Sequence, residues 1–198
     1  MKKTSDKSAW VLLLSNLITI AIAVIQKWDL APLLIIYWAQ SVIIGISNWR
    51  RILNLRQFST KNFTINKVSV DPTQKTKRRV AWFFLFHYGF FHFVYFIFIS
   101  AMIPTLSNFV WMGIAVGILI FAINHYYSYK HNLERDSARV PNIGTLMFFP
   151  YARILPMHLT IIFGGAFSKG STISLLIFLS LKTGADLIMH WVEHSKLK

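Results

Sequence analysis

Six long apolar runs constrain this chain more than any other feature of its sequence. Each run approaches the ~20 residues that a helix needs to cross a hydrocarbon core, and a helix satisfies its backbone groups internally, as lipid requires. Hydrophobic residues make up 55% of the 198, above the roughly 45–50% of soluble domains. The sequence therefore predicts an all-α fold, a polytopic transmembrane helical bundle in a single integral-membrane domain. Its expected spans are about 9–26, 30–49, 80–103, 108–129, 146–167 and 171–193.

Basic residues are distributed unevenly between the two sides of such a bundle. One side carries three lysines before the first run, nine basic residues in the 50–79 loop, three in the 130–145 loop and two at the C-terminus, seventeen of the 21 Lys and Arg. The other side carries only Lys27 and Lys169. Because cytoplasmic loops are enriched in Lys and Arg, both termini are expected in the cytoplasm, in a multi-pass protein of the cell (inner or plasma) membrane. This asymmetry also explains the net charge of +14 without a nucleic-acid partner.

The basic loop of residues 50–79 is the only sizeable polar segment. About 30 residues are too few to build a core of their own. A solvated cytoplasmic loop attracted to anionic lipid is therefore expected, and the stretch NFTINKVSV within it indicates a short strand or an interfacial segment.

Nine polar side chains fall inside the apolar runs, where such groups are expensive and commonly mark a site. Their depths follow from a rise of about 1.5 Å per residue, counted from the cytoplasmic ends. They form three layers, with His92, His158 and Lys182 at roughly 18–20 Å, His87, Arg153, Asp186 and Gln40 at roughly 12–14 Å, and His125 and His190 at ~6 Å. The outer half is almost purely apolar, so we expect a polar cavity that opens towards the cytoplasm.

The last run carries a line of polar residues at four-residue spacing. Lys182, Asp186 and His190 share one helix face, and Asp186 can pair with Lys182 or with Arg153 at similar depth. A buried ion-pair network without a ligand is the alternative to a substrate or proton site.

Prolines complicate the fifth run. Pro150 and Pro156 flank Arg153, so the span starts either near residue 146 or at Pro150. A helix broken beside Arg153 and His158 is a recurrent way to build a binding site at the membrane midplane.

The histidines suggest a metal ion or haem, with ligands from different helices. His87 and His92 are five residues apart, about 140° around a helix, so they cannot chelate one ion together. The candidate sets are His92 with His158, and His87 with His125 and His190. Two imidazoles at one depth suit a b-type haem, whereas several histidines with Asp186 suit zinc or iron. The chain has no cysteine, which excludes thiolate ligands and cysteine nucleophiles.

Four stretches resemble an uncharacterised prokaryotic family of small polytopic membrane proteins, a domain of unknown function. They are YWAQSVIIGISN (37–48), FHYGFFHFVYFIF (86–98), FFPYARILPMHLTIIFGG (148–165) and LKTGADLIMHWVEH (181–194). The resemblance implies the same helical membrane fold and marks Arg153, His158, Asp186 and His190 as signature positions. In this family the position of Gln40 is often acidic. The resemblance implies no activity.

Four functions are compatible with this pattern. The leading hypothesis is an intramembrane, histidine-rich site that binds a metal ion or haem. The alternatives are a proton- or anion-coupled small-solute transporter that uses Lys182, Arg153 and Asp186, a lipid-modifying enzyme with a histidine general base, and a structural subunit without a ligand. The sequence leaves the choice between enzyme, transporter and structural subunit open, and it assigns no catalytic residue.

Overall fold

The computed structural model describes residues 17, 20–21, 24–25, 30–100, 106–152, 154–155, 158–159 and 172–196. Within these residues the chain is mostly helical, with one small hairpin. In chain order the elements are α1 (Leu30–Leu53), β1 (Thr64–Ile65), β2 (Val68–Ser69), α2 (Gln74–Ser100), α3 (Asn108–Ser137), α4 (Ile143–Phe148) and α5 (Thr172–Lys196). The chain forms two compact units, Met1–Leu34 with Ala152–Lys198, and Ile35–Tyr151. The helical fold class is confirmed.

Three of the described helices are long and apolar enough to cross a membrane. They are α1, α2 and α3, of 24, 27 and 30 residues. They contain the second apolar run, residues 80–100 of the third run, and the fourth run. A shorter apolar stretch, Leu175–Ala185 in α5, falls in the sixth run. The described residues of the first run are helical, and so are those of the fifth run apart from a turn at residues 149–150. Most of the first run and half of the fifth lie outside the described residues.

Large apolar side chains point outward along α2 and α3. Phe86, Phe90 and Phe93 on α2, like Phe109 and Met112 on α3, are more than half exposed. In water such surfaces would be unfavourable, whereas against lipid tails they lose nothing. This surface is what a bundle embedded in a bilayer requires.

The segment between α1 and α2 is folded, with two buried apolar residues beneath an exposed surface. Leu55 and Phe58 are buried, and the backbone at Ser59 bonds to both sides of Asn142, because Ser59 N–H donates to Pro141 O at 2.9 Å and Ile143 N–H donates to Ser59 O at 3.0 Å. The prediction of a solvated loop is therefore wrong for these residues. Residues 141–147 complete the core of this loop. The prediction considered only the residues of the loop itself and therefore omitted them.

The predicted short strand is confirmed as a hairpin. Thr64 pairs with Ser69 and Ile65 with Val68 across a two-residue turn. Asn66 and Lys67 in that turn have φ of 52° and 65°, the left-handed conformation at both central positions of a type I′ turn, whose twist matches that of the strands.

The fifth run is interrupted at Pro150. Asn142 caps α4 by accepting the Thr145 N–H at 3.0 Å. A turn follows at residues 149–150, and helix resumes at Tyr151. Proline suits the start of a helix and not its interior, which agrees with the turn at this position. Where the fifth span starts stays a prediction.

Candidate functional site

A polar seam joins α1 to α2. We define it by Trp38, Ser41 and Gly45 on α1 and Tyr88 and His92 on α2. The Ser41 and Tyr88 hydroxyls lie 2.8 Å apart, and Tyr88 also donates to the Ser41 carbonyl at 3.1 Å. The Trp38 indole N–H donates to the His92 carbonyl at 2.9 Å. These bonds tie two adjacent helices together through groups that lipid cannot satisfy.

Gly45 lets the Tyr88 ring approach the α1 backbone. A Cβ added at this glycine would lie 2.5 Å from Cε1 and 2.8 Å from Cδ1 of Tyr88. Normal carbon contacts are about 3.5–4.0 Å. Ser41 and Gly45, four residues apart, therefore form a small-residue face on which the tyrosine packs.

His92 lies in this seam and is 4% exposed. Its Nδ1 is 2.9 Å from the Tyr88 carbonyl oxygen. A carbonyl can only accept, so Nδ1 carries the proton and donates it. The imidazole stacks on the Tyr88 ring at 4.3 Å and meets the Tyr95 ring edge-on at 5.9 Å. The orientation of the ring is thus set by its own helix.

The second ring nitrogen of His92 is the unusual feature of the seam. Nε2 is buried and has no hydrogen-bond partner among the described residues. With the proton on Nδ1, Nε2 presents a lone pair, and leaving a buried acceptor unmet costs about 1–3 kcal/mol. A metal-ligating histidine commonly donates its other N–H to a backbone carbonyl, which fixes the tautomer. His92 shows that arrangement, so its Nε2 is suited to ligate a metal or to accept a bond from a ligand.

The other histidines of the Ile35–Tyr151 unit have different surroundings. His87 is exposed and its Nδ1 lies 2.8 Å from the Tyr151 hydroxyl, so it faces away from His92, as the five-residue spacing predicts. His125 on α3 is half-buried against Phe121, with ring centroids 4.3 Å apart. In the part of the chain that the structure describes, no three His, Cys, Asp or Glu side chains come together as a metal cluster.

The remaining predicted residues divide between both units. Gln40 is half-buried on α1, next to Ser41. His158 and Lys182, in the other unit, are helical and half-buried. The backbones of Asp186 and His190 belong to α5, whereas their side chains and the whole of Arg153 lie outside the described residues. The Lys182–Asp186 pair stays a prediction.

A buried ion pair near the ends of α1 and α3 was not predicted from the sequence. Asp136 is 4% exposed and accepts from Nε and Nη2 of Arg51, the latter at 2.9 Å, and from Arg139 at 3.4 Å. We call these three residues the clasp. The signal in the sequence was an acidic residue in a predominantly basic segment. Asp136 is one of only seven Asp and Glu residues, beside 21 Lys and Arg.

These observations define a class of protein, mostly helical, with apolar helices long enough to cross a membrane and a polar seam between two of them. The chain belongs to the family of unknown function DUF6498, whose model matches residues 1–198. The predicted family resemblance is thereby confirmed. No curated protein and no solved structure matches the chain.

Proposed function

We propose that this chain is a multi-pass integral membrane protein that binds a metal ion or haem inside the bilayer, with His92 as a ligand through Nε2. The observation that carries the proposal is the buried Nε2 of His92, which has no partner in the part of the chain that the structure describes, while the Nδ1–H of the same ring is bonded to the Tyr88 carbonyl. Bulk solvent does not contact this buried atom, and a buried polar atom commonly has a partner. The partner that we propose for this lone pair is a bound ligand.

The chemistry at this nitrogen is that of a neutral imidazole. It can donate an electron pair to iron, zinc or copper, or accept a hydrogen bond, but in this tautomer it has no proton to give. A haem iron needs only one or two axial imidazoles from the protein.

The test is the cofactor content of the full-length protein purified in mild detergent. Elemental analysis and a visible absorption spectrum are recorded for the wild type and for His92→Phe. Phenylalanine keeps an aromatic ring between Tyr88 and Tyr95 and removes both nitrogens, so the fold should persist while metal or haem is lost. A Soret band in the wild type identifies haem, and a stoichiometric metal without that band identifies a non-haem site.

A matched variant controls for histidine loss in general. His131 is exposed near the polar end of α3, so His131→Ala should keep the wild-type cofactor content. A wild type without metal or haem would contradict the proposal and leave three functions, namely proton- or anion-coupled transport, lipid modification and a purely structural role. An unchanged metal or haem content in His92→Phe would remove this histidine from the site.

We propose further that the bundle has six spans with both termini in the cytoplasm of a cell membrane. The support is the excess of basic residues in the segments assigned to that side. Reporter fusions at the two termini and next to Lys169 test it. A periplasmic reporter that is active at the C-terminus would contradict this orientation.

A further inference from the structure

The folded segment between α1 and α2 presents a charged surface of nearly one sign. We call this surface the basic platform and define it as residues 54–79 and 138–148. Six of its exposed cations lie outside the clasp, namely Arg56, Lys61, Lys67, Lys75, Arg78 and Arg79. Among residues 50–79 only Asp71 is acidic. The platform therefore has a positive field that is not neutralised by its own chain.

Contacts within the unit hold this surface in a defined shape. Phe63 packs on Gly144, where an added Cβ would lie 2.7 Å from the phenylalanine ring. The Asn142 side chain donates to the Lys61 carbonyl at 2.8 Å, and the Lys77 ammonium donates to the Leu55 carbonyl at 2.8 Å. Each bond ties the loop to a helix end or to residues 141–147. The exposed cations are thus presented by a folded scaffold and not by a flexible tether.

The buried Asp136 does not compete for these cations. The carboxylate of Asp136 is buried and already paired with Arg51 and Arg139 in the clasp. It pairs with Arg51, whose side chain is 12% exposed, and with Arg139, whose side chain is 38% exposed. Among the described residues it makes no ion pair with the six cations named above. The charge that remains on the surface is available to an external anion.

The chain itself places the platform at the level of lipid headgroups. Arg78 and Arg79 directly precede Val80, where the apolar run of α2 begins. The rings of Trp49, near the end of α1, and Trp82, at the start of that run, lie 5.3 Å apart. Tryptophan is enriched at the membrane–water interface, so both helices enter the bilayer beside the platform.

The hairpin adds an apolar group to this cationic surface. Lys67 ends the type I′ turn, and the next side chain, Val68, is 65% exposed. An exposed valine beside a lysine is poorly suited to water but matches the boundary between headgroups and acyl chains, where apolar burial and attraction to anionic lipid act together.

We infer that the basic platform binds the headgroups of anionic lipids, with the Lys67–Val68 tip of the hairpin inserted at the interface. Three features together support this occupant, namely the excess of exposed cations, the fixed position next to the entry points of α1 and α2, and the exposed apolar tip. The inference is independent of the histidine site.

The test uses the delipidated full-length protein in detergent, mixed with equimolar phosphatidylglycerol and phosphatidylcholine, and native mass spectrometry to count the lipids bound. The wild type should prefer phosphatidylglycerol, and rising salt should weaken the preference. The preference for phosphatidylglycerol should fall roughly tenfold or more in the triple variant Lys61→Gln, Lys67→Asn, Lys75→Gln, since a basic residue near a membrane contributes severalfold to anionic-lipid affinity. Asparagine suits the left-handed backbone at position 67. Val68→Ser should lower the affinity for both lipids.

A charge-matched variant separates the platform from net charge alone. Lys2→Gln, Lys3→Gln, Lys7→Gln removes the same three charges outside the platform, and it should retain most of the preference. Equal losses in the two triple variants would overturn the inference. A wild type that binds both lipids equally would also overturn it. The same holds for a wild type that instead retains an acidic protein, or nucleic acid that a nuclease removes.

Discussion

Gly45→Ala is the sharpest test of the seam, because the structure gives the size of the perturbation. The new methyl carbon would lie 2.5 Å from Cε1 of Tyr88, about 1 Å inside the normal contact distance. The tyrosine cannot turn aside freely, since its hydroxyl bonds to Ser41 and its ring stacks on His92. The ring or the whole of α2 must therefore retreat.

The expected cost follows from three contributions. Overpacking a filled contact costs about 1–3 kcal/mol, and losing the bond between the Ser41 and Tyr88 hydroxyls costs about 1 kcal/mol more. Replacing glycine by alanine inside a helix returns about 1 kcal/mol. The net destabilisation is thus about 1–3 kcal/mol, and the displaced Tyr88 should also lower the metal or haem content by disturbing His92.

The assay is the free energy of unfolding in mixed micelles, measured for Gly45→Ala and for Gly89→Ala. Gly89 adjoins Tyr88 on α2, and a Cβ added there meets nothing within 4 Å among the described residues, so that variant should be neutral or slightly stabilised. Adding Tyr88→Ala to Gly45→Ala should relieve the clash, so the double variant loses less than the sum of the single losses. Equal effects of the two glycine variants, or strict additivity with Tyr88→Ala, would refute the close approach.

Three further predictions use the same unfolding measurement. Asp136→Asn should cost on the order of 3–5 kcal/mol, because it leaves Arg51 buried without its carboxylate, and a cost below 1 kcal/mol would mean that water reaches the clasp. Gly144→Ala should cost about 1–3 kcal/mol, since its Cβ would lie 2.7 Å from the Phe63 ring, and no loss would show that Phe63 moves freely. Trp38→Phe removes the indole bond to α2 and should cost about 1 kcal/mol, a prediction that fails if the variant matches the wild type.

The helices were predictable because lipid imposes a simple rule on the sequence. A run of about 20 apolar residues satisfies its backbone groups in a bilayer by forming a helix. The helices α1, α2 and α3 follow the runs that predict them. The ends were less predictable, since α2 begins at Gln74, six residues before its apolar run. The Thr73 hydroxyl accepts the Thr76 N–H at 3.2 Å, and this local cap starts the helix in polar sequence.

The loop was mispredicted because its stabilising partner is distant in the sequence. Leu55 and Phe58 are too few to form a core, and only the fold brings Pro141, Ile143 and Gly144 against that segment. No periodicity within residues 50–79 carries this information. The hairpin, whose turn chemistry is local, was indicated by the sequence.

The candidate site was predicted only in part, for a related reason. Depth counting singled out His92 because an ionisable residue in an apolar run is conspicuous. It did not find Ser41, Gly45 and Tyr88, which are ordinary residues in a membrane helix. The four-residue spacing of Ser41 and Gly45 was the available signal, since small residues at that spacing allow helices to approach closely. The side chain that fills this space is set by the register of α2 against α1, and that register cannot be read from one sequence.

The central claim is that Nδ1 of His92 carries the proton while Nε2 holds a ligand. Nitrogen NMR of the full-length protein, labelled with ¹⁵N-histidine, tests it directly, with the His92 signals assigned by their loss in His92→Phe. The account predicts a protonated Nδ1 and an Nε2 signal that shifts to the free-acceptor position when the metal or haem is stripped. An Nε2 that is protonated, or whose signal is unchanged by stripping, would contradict it.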